Sequence, residues 1–285
     1  MILGSHLSIS GGLHKALLTA EKYGFGALAM FLRNQVQWHA KPLDDEAVAK
    51  FRETREQTNI RAIVAHASYL VNLAGRPEVR DKSIPALMED FSRAQRLGVE
   101  YLVFHPGSNP DLELGEKMIS DALNEIAAGV AGGSSSSRIL LETTAGQGNC
   151  IGHRFEHLAA IYAGLDQPDR FGICLDTCHI FAAGYDIRTP ETYAVTMQAF
   201  DDIIGLDKLL AIHLNDSKKD FETRVDRHEH IGEGFVGLAA FANLVNDPRL
   251  AEIPAILETP KGKDENARDW DVINAETVAR LVSGA

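Results

Sequence analysis

The chain has 285 residues, 45% of them hydrophobic and 24% charged, which is ordinary for a soluble globular protein with a sizeable core and suits one α/β barrel or two smaller domains. No stretch approaches the roughly eighteen apolar residues of a membrane span, and MILGSHLSISGG lacks a basic region followed by an apolar one, so neither a transmembrane helix nor a signal peptide is expected. The formal net charge of −12 weighs against a nucleic-acid partner held by surface charge, although cations bound in one cleft can reverse its local sign.

In chain order, short apolar runs read as strands at Ile2–Leu7, Ala27–Phe31, Arg61–Ala65, Tyr101–Phe104, Ile139–Leu141, Gly172–Leu175, Leu209–Ile212 and Pro254–Leu257. Three-to-four residue apolar spacing between them predicts helices at Leu13–Tyr23, Glu46–Gln57, Ile84–Leu97, Glu116–Ala128 and Glu156–Ala163. Gly24, Gly98 and Gly205 stand where helix C-caps are wanted, and Thr189-Pro190-Glu191 reads as a capped helix start. Gly132–Ser137 (GGSSSS) reads as a flexible helix-to-strand loop, away from any site. Eight strands alternating with helices predict a single (β/α)8 TIM barrel over residues 1–285. An open doubly wound sheet is the alternative, but SHLSISGG is not the glycine-rich dinucleotide loop that usually follows its first strand.

The strand ends carry the chemistry. The third ends at His66, the fourth at His105, the fifth at Glu142, the sixth at Asp176 with His179 three residues on, the seventh at His213 and the eighth at Glu258. The loop after the seventh adds Asp226 and His228. In a barrel such residues converge on one mouth, where charge at the end of a buried strand is costly unless paired or coordinated. Nine candidate ligands exceed the three or four of one tetrahedral ion and suggest two or three ions. Imidazole mixed with carboxylate favours zinc, with manganese or iron as alternatives.

Taken singly, each residue has an ordinary reading: a hydrogen-bonded strand-end histidine, a glutamate capping a helix, a solvated charged loop at 226–230. Six consecutive strand ends of ligand type outweigh those readings together. His6 is expected to support the ligands from behind. His14, His153, His157 and His230 are expected in structural or exposed roles, and His39 is undecided. Cys150, Cys174 and Cys178 give no disulfide framework and fit a reducing cytoplasm; Cys174 and Cys178 read as small buried residues rather than ligands. The glycines of TAGQG and HIGEG read as sharp turns, and Ser8 and Ser10 have no visible base to make a nucleophile of them.

At these residues the chain resembles the endonuclease IV family of apurinic/apyrimidinic (AP) endonucleases. The match runs nearly end to end, through GSHLSISGGL, NQVQW, AHASYLVNL, FHPGS, LETTAGQG, FEHLAAI, CLDTCHIFAAGYD, HLNDSK, RVDRHEHIGEG and ILETP. The resemblance implies the barrel and three Zn2+, with Mn2+ or Fe2+ as substitutes. It implies one ion on His66, His105 and Glu142, a second on Glu142, Asp176, His213 and Glu258, and a third on His179, Asp226 and His228. It further implies hydrolysis of duplex DNA on the 5′ side of an abasic site, leaving a 3′-hydroxyl and a 5′-deoxyribose phosphate, and removal of blocking groups from 3′ ends. Tyr69 matches a position that wedges into DNA, beside Gln35, Gln37 and Trp38. Val36 departs from the resemblance: the motif carries an arginine there, and valine fills space without contacting phosphate.

Two other function classes are weighed. A xylose isomerase-like sugar isomerase or epimerase would use Glu142, Asp176, His213 and Glu258 alone, leaving His66, His105, His179, Asp226 and His228 unexplained. A non-catalytic sensor of abasic DNA would have no need of a complete ligand set. A monomer without membrane association is the default expectation.

Overall fold

The computed structural model describes residues 1–130 and 137–282, so the predicted loop at Gly132–Ser137 lies, but for Ser137, outside the described residues. The first half of the chain runs β1 (Ile2–His6), α1 (His14–Tyr23), β2 (Ala27–Phe31), α2 (Asp45–Glu56), β3 (Ala62–His66), α3 (Pro77–Leu97), β4 (Tyr101–Phe104) and α4 (Leu112–Gly129). The second half runs β5 (Arg138–Glu142), α5 (Phe155–Ala163), β6 (Phe171–Asp176), α6 (Thr177–Ala183), α7 (Pro190–Ile203), β7 (Leu209–His213), β8 (Asp216–Ser217), β9 (His228–Glu229), α8 (Leu238–Val245), β10 (Pro254–Leu257) and α9 (Trp270–Ala279). Eight strands close in the order β1-β10-β7-β6-β5-β4-β3-β2, and each neighbouring pair is parallel. This is the expected TIM barrel. The antiparallel ribbon β8–β9 lies outside it and was not expected.

Alternation along the strands builds two apolar layers. Inward-facing Ala27, Ala29, Val64, Val103, Leu140, Cys174, Ala211 and Ile256 fill the barrel interior with a mix of small and branched apolar residues. Outward-facing Leu28, Met30, Ile63, Leu102 and Ile173 pack with Leu17, Phe51, Phe91, Leu123 and Phe200 of the helices. Each fully buried aromatic or leucine contributes roughly 1.5–3 kcal/mol in area removed from water. At Gly4 an added Cβ would stand 2.2 Å from Ala27 O, so only glycine lets β1 and β2 approach this closely.

Helix ends differ from expectation in physically instructive ways. α3 begins at Pro77, not Ile84, and runs through Pro85. Proline lacks the amide of a helix interior, so local sequence favours a start there. Burial of Ser83, Ile84, Ala86 and Leu87 on either side keeps the helix continuous instead. α4 begins four residues early, where Asp111 accepts a hydrogen bond from Leu114 N. Gly24 and Gly98 cap in the left-handed conformation as expected, whereas Gly205, at φ +98 and ψ 126, follows an Ile204 cap and is not left-handed helical. Thr189 makes the expected N-cap of α7, with a capping box to Thr192.

Candidate metal centre

Parallel strands bring their C-terminal ends to one rim. His66, Glu142, Asp176 and His213 are the last residues of β3, β5, β6 and β7, and His105 and Glu258 directly follow β4 and β10. α6 starts at once after β6 because Asp176 caps it, accepting from His179 N at 2.9 Å, and this places His179 over the rim. The β8–β9 ribbon folds the chain back so that Asp226 and His228 reach the same mouth.

The nine residues fall into three sets, the donor atoms of each lying within 4.8 Å of one another: His66, His105 and Glu142; Glu142, Asp176, His213 and Glu258; and His179, Asp226 and His228. Glu142 joins the first two. Its Oε2 is 3.1 Å from His66 Nε2 and 3.0 Å from His105 Nε2, while its Oε1 is 2.8 Å from His213 Nδ1. Asp226 divides its oxygens between His179 Nε2 at 3.2 Å and His228 Nε2 at 3.4 Å. A further set of Asp176, Cys178 and His228 shares these residues, but burial pushes the Cys178 thiol up, away from the thiolate a metal requires.

Three imidazoles are held in one tautomer by carbonyls. Nδ1 of His66 donates to Ala67 O at 2.8 Å, that of His179 to Thr143 O at 2.8 Å and that of His228 to Glu258 O at 3.2 Å, leaving each Nε2 for the mouth. The Nε2 atoms of His179 and His228 are buried without a hydrogen-bond partner. Orphaned ring nitrogens beside carboxylates are costly as they stand and would be satisfied by a cation. The donor set therefore fits zinc.

Burial, the largest influence on the His66, His179 and His213 rings, disfavours their charged forms, but it is outweighed by carboxylates at His66 and His179, and by the Cys174 sulfur and then Glu258 and Glu142 at His213, so that all three stand above the ordinary histidine value. Burial likewise disfavours ionised Glu142, Asp226 and Glu258, and the histidines around them reverse this and hold all three below the ordinary carboxylate range.

Supporting residues account for the geometry. His6 Nδ1 stands 2.9 Å from Glu258 Oε1, behind the ligand as expected. Two supports went unmarked in sequence. Asn215 donates from Nδ2 to Asp176 Oδ2 at 2.7 Å and accepts from Glu258 N at 2.8 Å, fixing one carboxylate directly and the other through its backbone. Asp216 accepts from the backbone N–H groups of Gly232, Gly234 and Val236 at 2.9, 3.1 and 2.9 Å, tying down the loop that follows His228. The motif HLND offered a signal for both, since two polar residues directly follow a buried strand. Replacing Asn215 with alanine is expected to lower zinc affinity about 10- to 100-fold, as loss of orienting partners does. Metal competition at equilibrium checks this, and unchanged affinity would remove Asn215 from the site.

The remaining expectations also have places. His230 stacks on Trp270 at 3.7 Å, and His153 packs edge-on against His157 at 4.6 Å, outside the metal-ligand sets. His39 is exposed and His14 half-buried. Cys174 is buried in the barrel interior, its thiol pushed up by burial to about 12. Tyr69 and Val36 are 61% and 65% exposed, high values for large apolar side chains. Tyr69, with its ring 5.4 Å from that of His66, lines two clefts. One, of about 1070 Å³, also reaches Gln35, His228 and Glu258; the other, of about 660 Å³, reaches Trp38, His105, His179 and Asp226.

A family model described as a xylose isomerase-like TIM barrel matches residues 17–278. The chain is 46% identical over 285 residues to a "Probable endonuclease 4" of Chloroflexus aurantiacus, covering 99% of this chain and 98% of that one. It is 48% identical over 283 residues to the protein of the same name from Geobacter sulfurreducens, covering 98% and 94%. Among solved structures, endonuclease IV from Thermus thermophilus superposes with a TM-score of 0.88 at 35% identity over 100% of both chains. A D-tagatose 3-epimerase-like protein superposes with a TM-score of 0.72 at 20% identity over 99% of this chain and 97% of that one, a likeness of fold alone.

Proposed function

The chain belongs to the endonuclease IV family, and we propose that it is a DNA-repair hydrolase that cuts duplex DNA on the 5′ side of abasic sites with three zinc ions, acting as a cytoplasmic monomer whose one domain spans residues 1–285. The observation that carries the reading is the convergence of nine ligand-type residues into three neighbouring sets, two of them joined at Glu142. His66 and His105 complete the first set, Asp176, His213 and Glu258 the second, and His179, Asp226 and His228 the third. Zinc ions held there would supply Lewis-acid charge for a phosphodiester and its leaving oxygen, and water acidified to near neutral pH.

The chain's own residues do the rest. Glu142 offers one oxygen to each of two sets, which fixes their spacing. The carbonyls of Ala67, Thr143 and Glu258 hold three imidazoles in register, so little reorganisation is needed when a phosphate arrives. Tyr69 stands exposed between the two clefts, and Val36 is exposed next to Gln35, which lines one of them. An abasic nucleotide loses little stacking on leaving the duplex, and side chains entering the gap stabilise the bent form. The products are a 3′-hydroxyl and a 5′-deoxyribose phosphate, and the same site would clear blocked 3′ ends.

The quartet of Glu142, Asp176, His213 and Glu258 alone would suit a sugar epimerase, but it leaves the other five residues of the three sets without a role. A labelled duplex with one synthetic abasic site tests the proposal. A nick with a 3′-hydroxyl supports it and excludes a non-catalytic sensor. An intact strand, with metal bound, would overturn it. Val36→Arg is expected to tighten binding to abasic duplex by roughly tenfold, since a guanidinium adds phosphate contacts that valine lacks. Equal affinity of the two proteins in a fluorescence-anisotropy titration would sink that expectation.

A further inference from the structure

The segment that follows β2 carries Gln35 and Trp38 to the two clefts, with Val36 exposed between them, yet it has no regular secondary structure until α2. Such a segment needs other partners for its carbonyls. Guanidinium groups supply them. Arg33 Nη1 donates to Gln37 O at 2.5 Å and Trp38 O at 3.4 Å. From α3, Arg93 donates to Lys41 O, and Arg96 donates to Leu43 O at 2.7 Å. On its other side Gln35 O accepts from Ser68 Oγ at 2.6 Å.

Arg33 is itself fixed from below. Its Nε and Nη2 meet Asp90 Oδ1 and Oδ2 of α3 at 2.5 and 3.0 Å, a two-pronged pair whose side chains are only 4% and 2% exposed. The backbone N–H of Ser68, the residue before Tyr69, also faces Asp90 and favours its charged form. One buried carboxylate thus anchors the loop bearing Val36 through Arg33, and that loop is tied in turn to the one bearing Tyr69 by the Ser68 hydroxyl on Gln35 O. A pair serving stability alone has no need of this reach, since buried ion pairs are often replaceable by apolar residues without loss.

The geometry points to Arg33 and Asp90 as positioning residues for DNA: they hold the Val36 and Tyr69 loops at a fixed separation, so that damaged duplex meets a rigid rim. This rests on the proposed action on DNA. Neither residue belongs to the three metal-ligand sets, so the effect belongs in duplex recognition and not in the hydrolytic step.

The test uses zinc-loaded protein with Arg33→Met and Asp90→Leu combined, which removes both charges together and avoids leaving one buried alone. Three readouts are compared: incision of abasic duplex, hydrolysis of bis(p-nitrophenyl) phosphate, and acrylamide quenching of Trp38 in a Trp270→Phe background, where it is the sole tryptophan. KM for duplex is expected to rise about tenfold, with kcat and small-diester hydrolysis within about threefold, because a loosened rim must be ordered on binding. Quenching of Trp38 should rise about twofold, and Arg33→Lys should fall between, having charge but no fork for both loop and Asp90. Unchanged KM and quenching, or equal loss on both substrates, would overturn the inference. If the parent protein leaves abasic duplex intact, the proposed function fails, and the quenching still decides whether Arg33 and Asp90 order the loop.

Discussion

Glu142→Ala is expected to abolish incision. Loss of an orienting partner costs about 10- to 100-fold at metal sites, so loss of a carboxylate shared by two donor sets should cost roughly a thousandfold or more. Glu142 is fully buried and meets His66, His105 and His213, so its removal also leaves three imidazoles without their common counter-charge. Zinc content by mass spectrometry should fall with activity. Glu142→Gln keeps the shape but not the charge and should be nearly as inactive. A fully active alanine variant would refute the assignment of Glu142 as the joint of the site.

Stripping zinc is expected to stop incision, and its rebinding should strengthen steeply with pH. His66, His179 and His213 are held above the ordinary histidine value by the groups around them, so zinc binding to the metal-free pocket must displace protons from these rings. Their contribution to the metal-free fold is present in full below about pH 6.5 and is lost as pH rises through their raised values. Glu142, Asp226 and Glu258 act with the opposite sign: held below the ordinary range, they stabilise the metal-free fold above about pH 4.5 and cease to do so as pH falls through their lowered values. Zinc affinity should therefore go on climbing above about pH 6.5, roughly tenfold per pH unit for each proton displaced, and level off as pH passes the raised values. Competition against a zinc indicator at several pH values measures the slope, and a flat profile would contradict the ion-paired pocket.

What the sequence revealed depended on how local each signal was. The barrel was legible because every strand is a short apolar run with its own neighbours as evidence. The donor set was legible because a buried run ending in His66, Glu142, Asp176 or His213 breaks the apolar rule at one fixed point, the strand's end. Asn215 and Asp216 stood in that same position after β7 but are neutral or common turn residues, so their tasks emerge only when Asp176 and the loop at 232–236 fold against them. Arg33 and Asp90 lie 57 residues apart, and no periodicity links them. The start of α3 was missed because Pro85 weighs against a helix locally, while the burial that overrides it is tertiary. The β8–β9 ribbon has two residues per strand, too few for alternation to register.

The three-ion site is the central claim, and titrating the chelated protein with zinc while following incision of abasic duplex tests it most directly. The account predicts that incision stays low through the early equivalents and saturates once three ions are bound per chain. Saturation with a single ion, or full incision by the chelated protein, would contradict it.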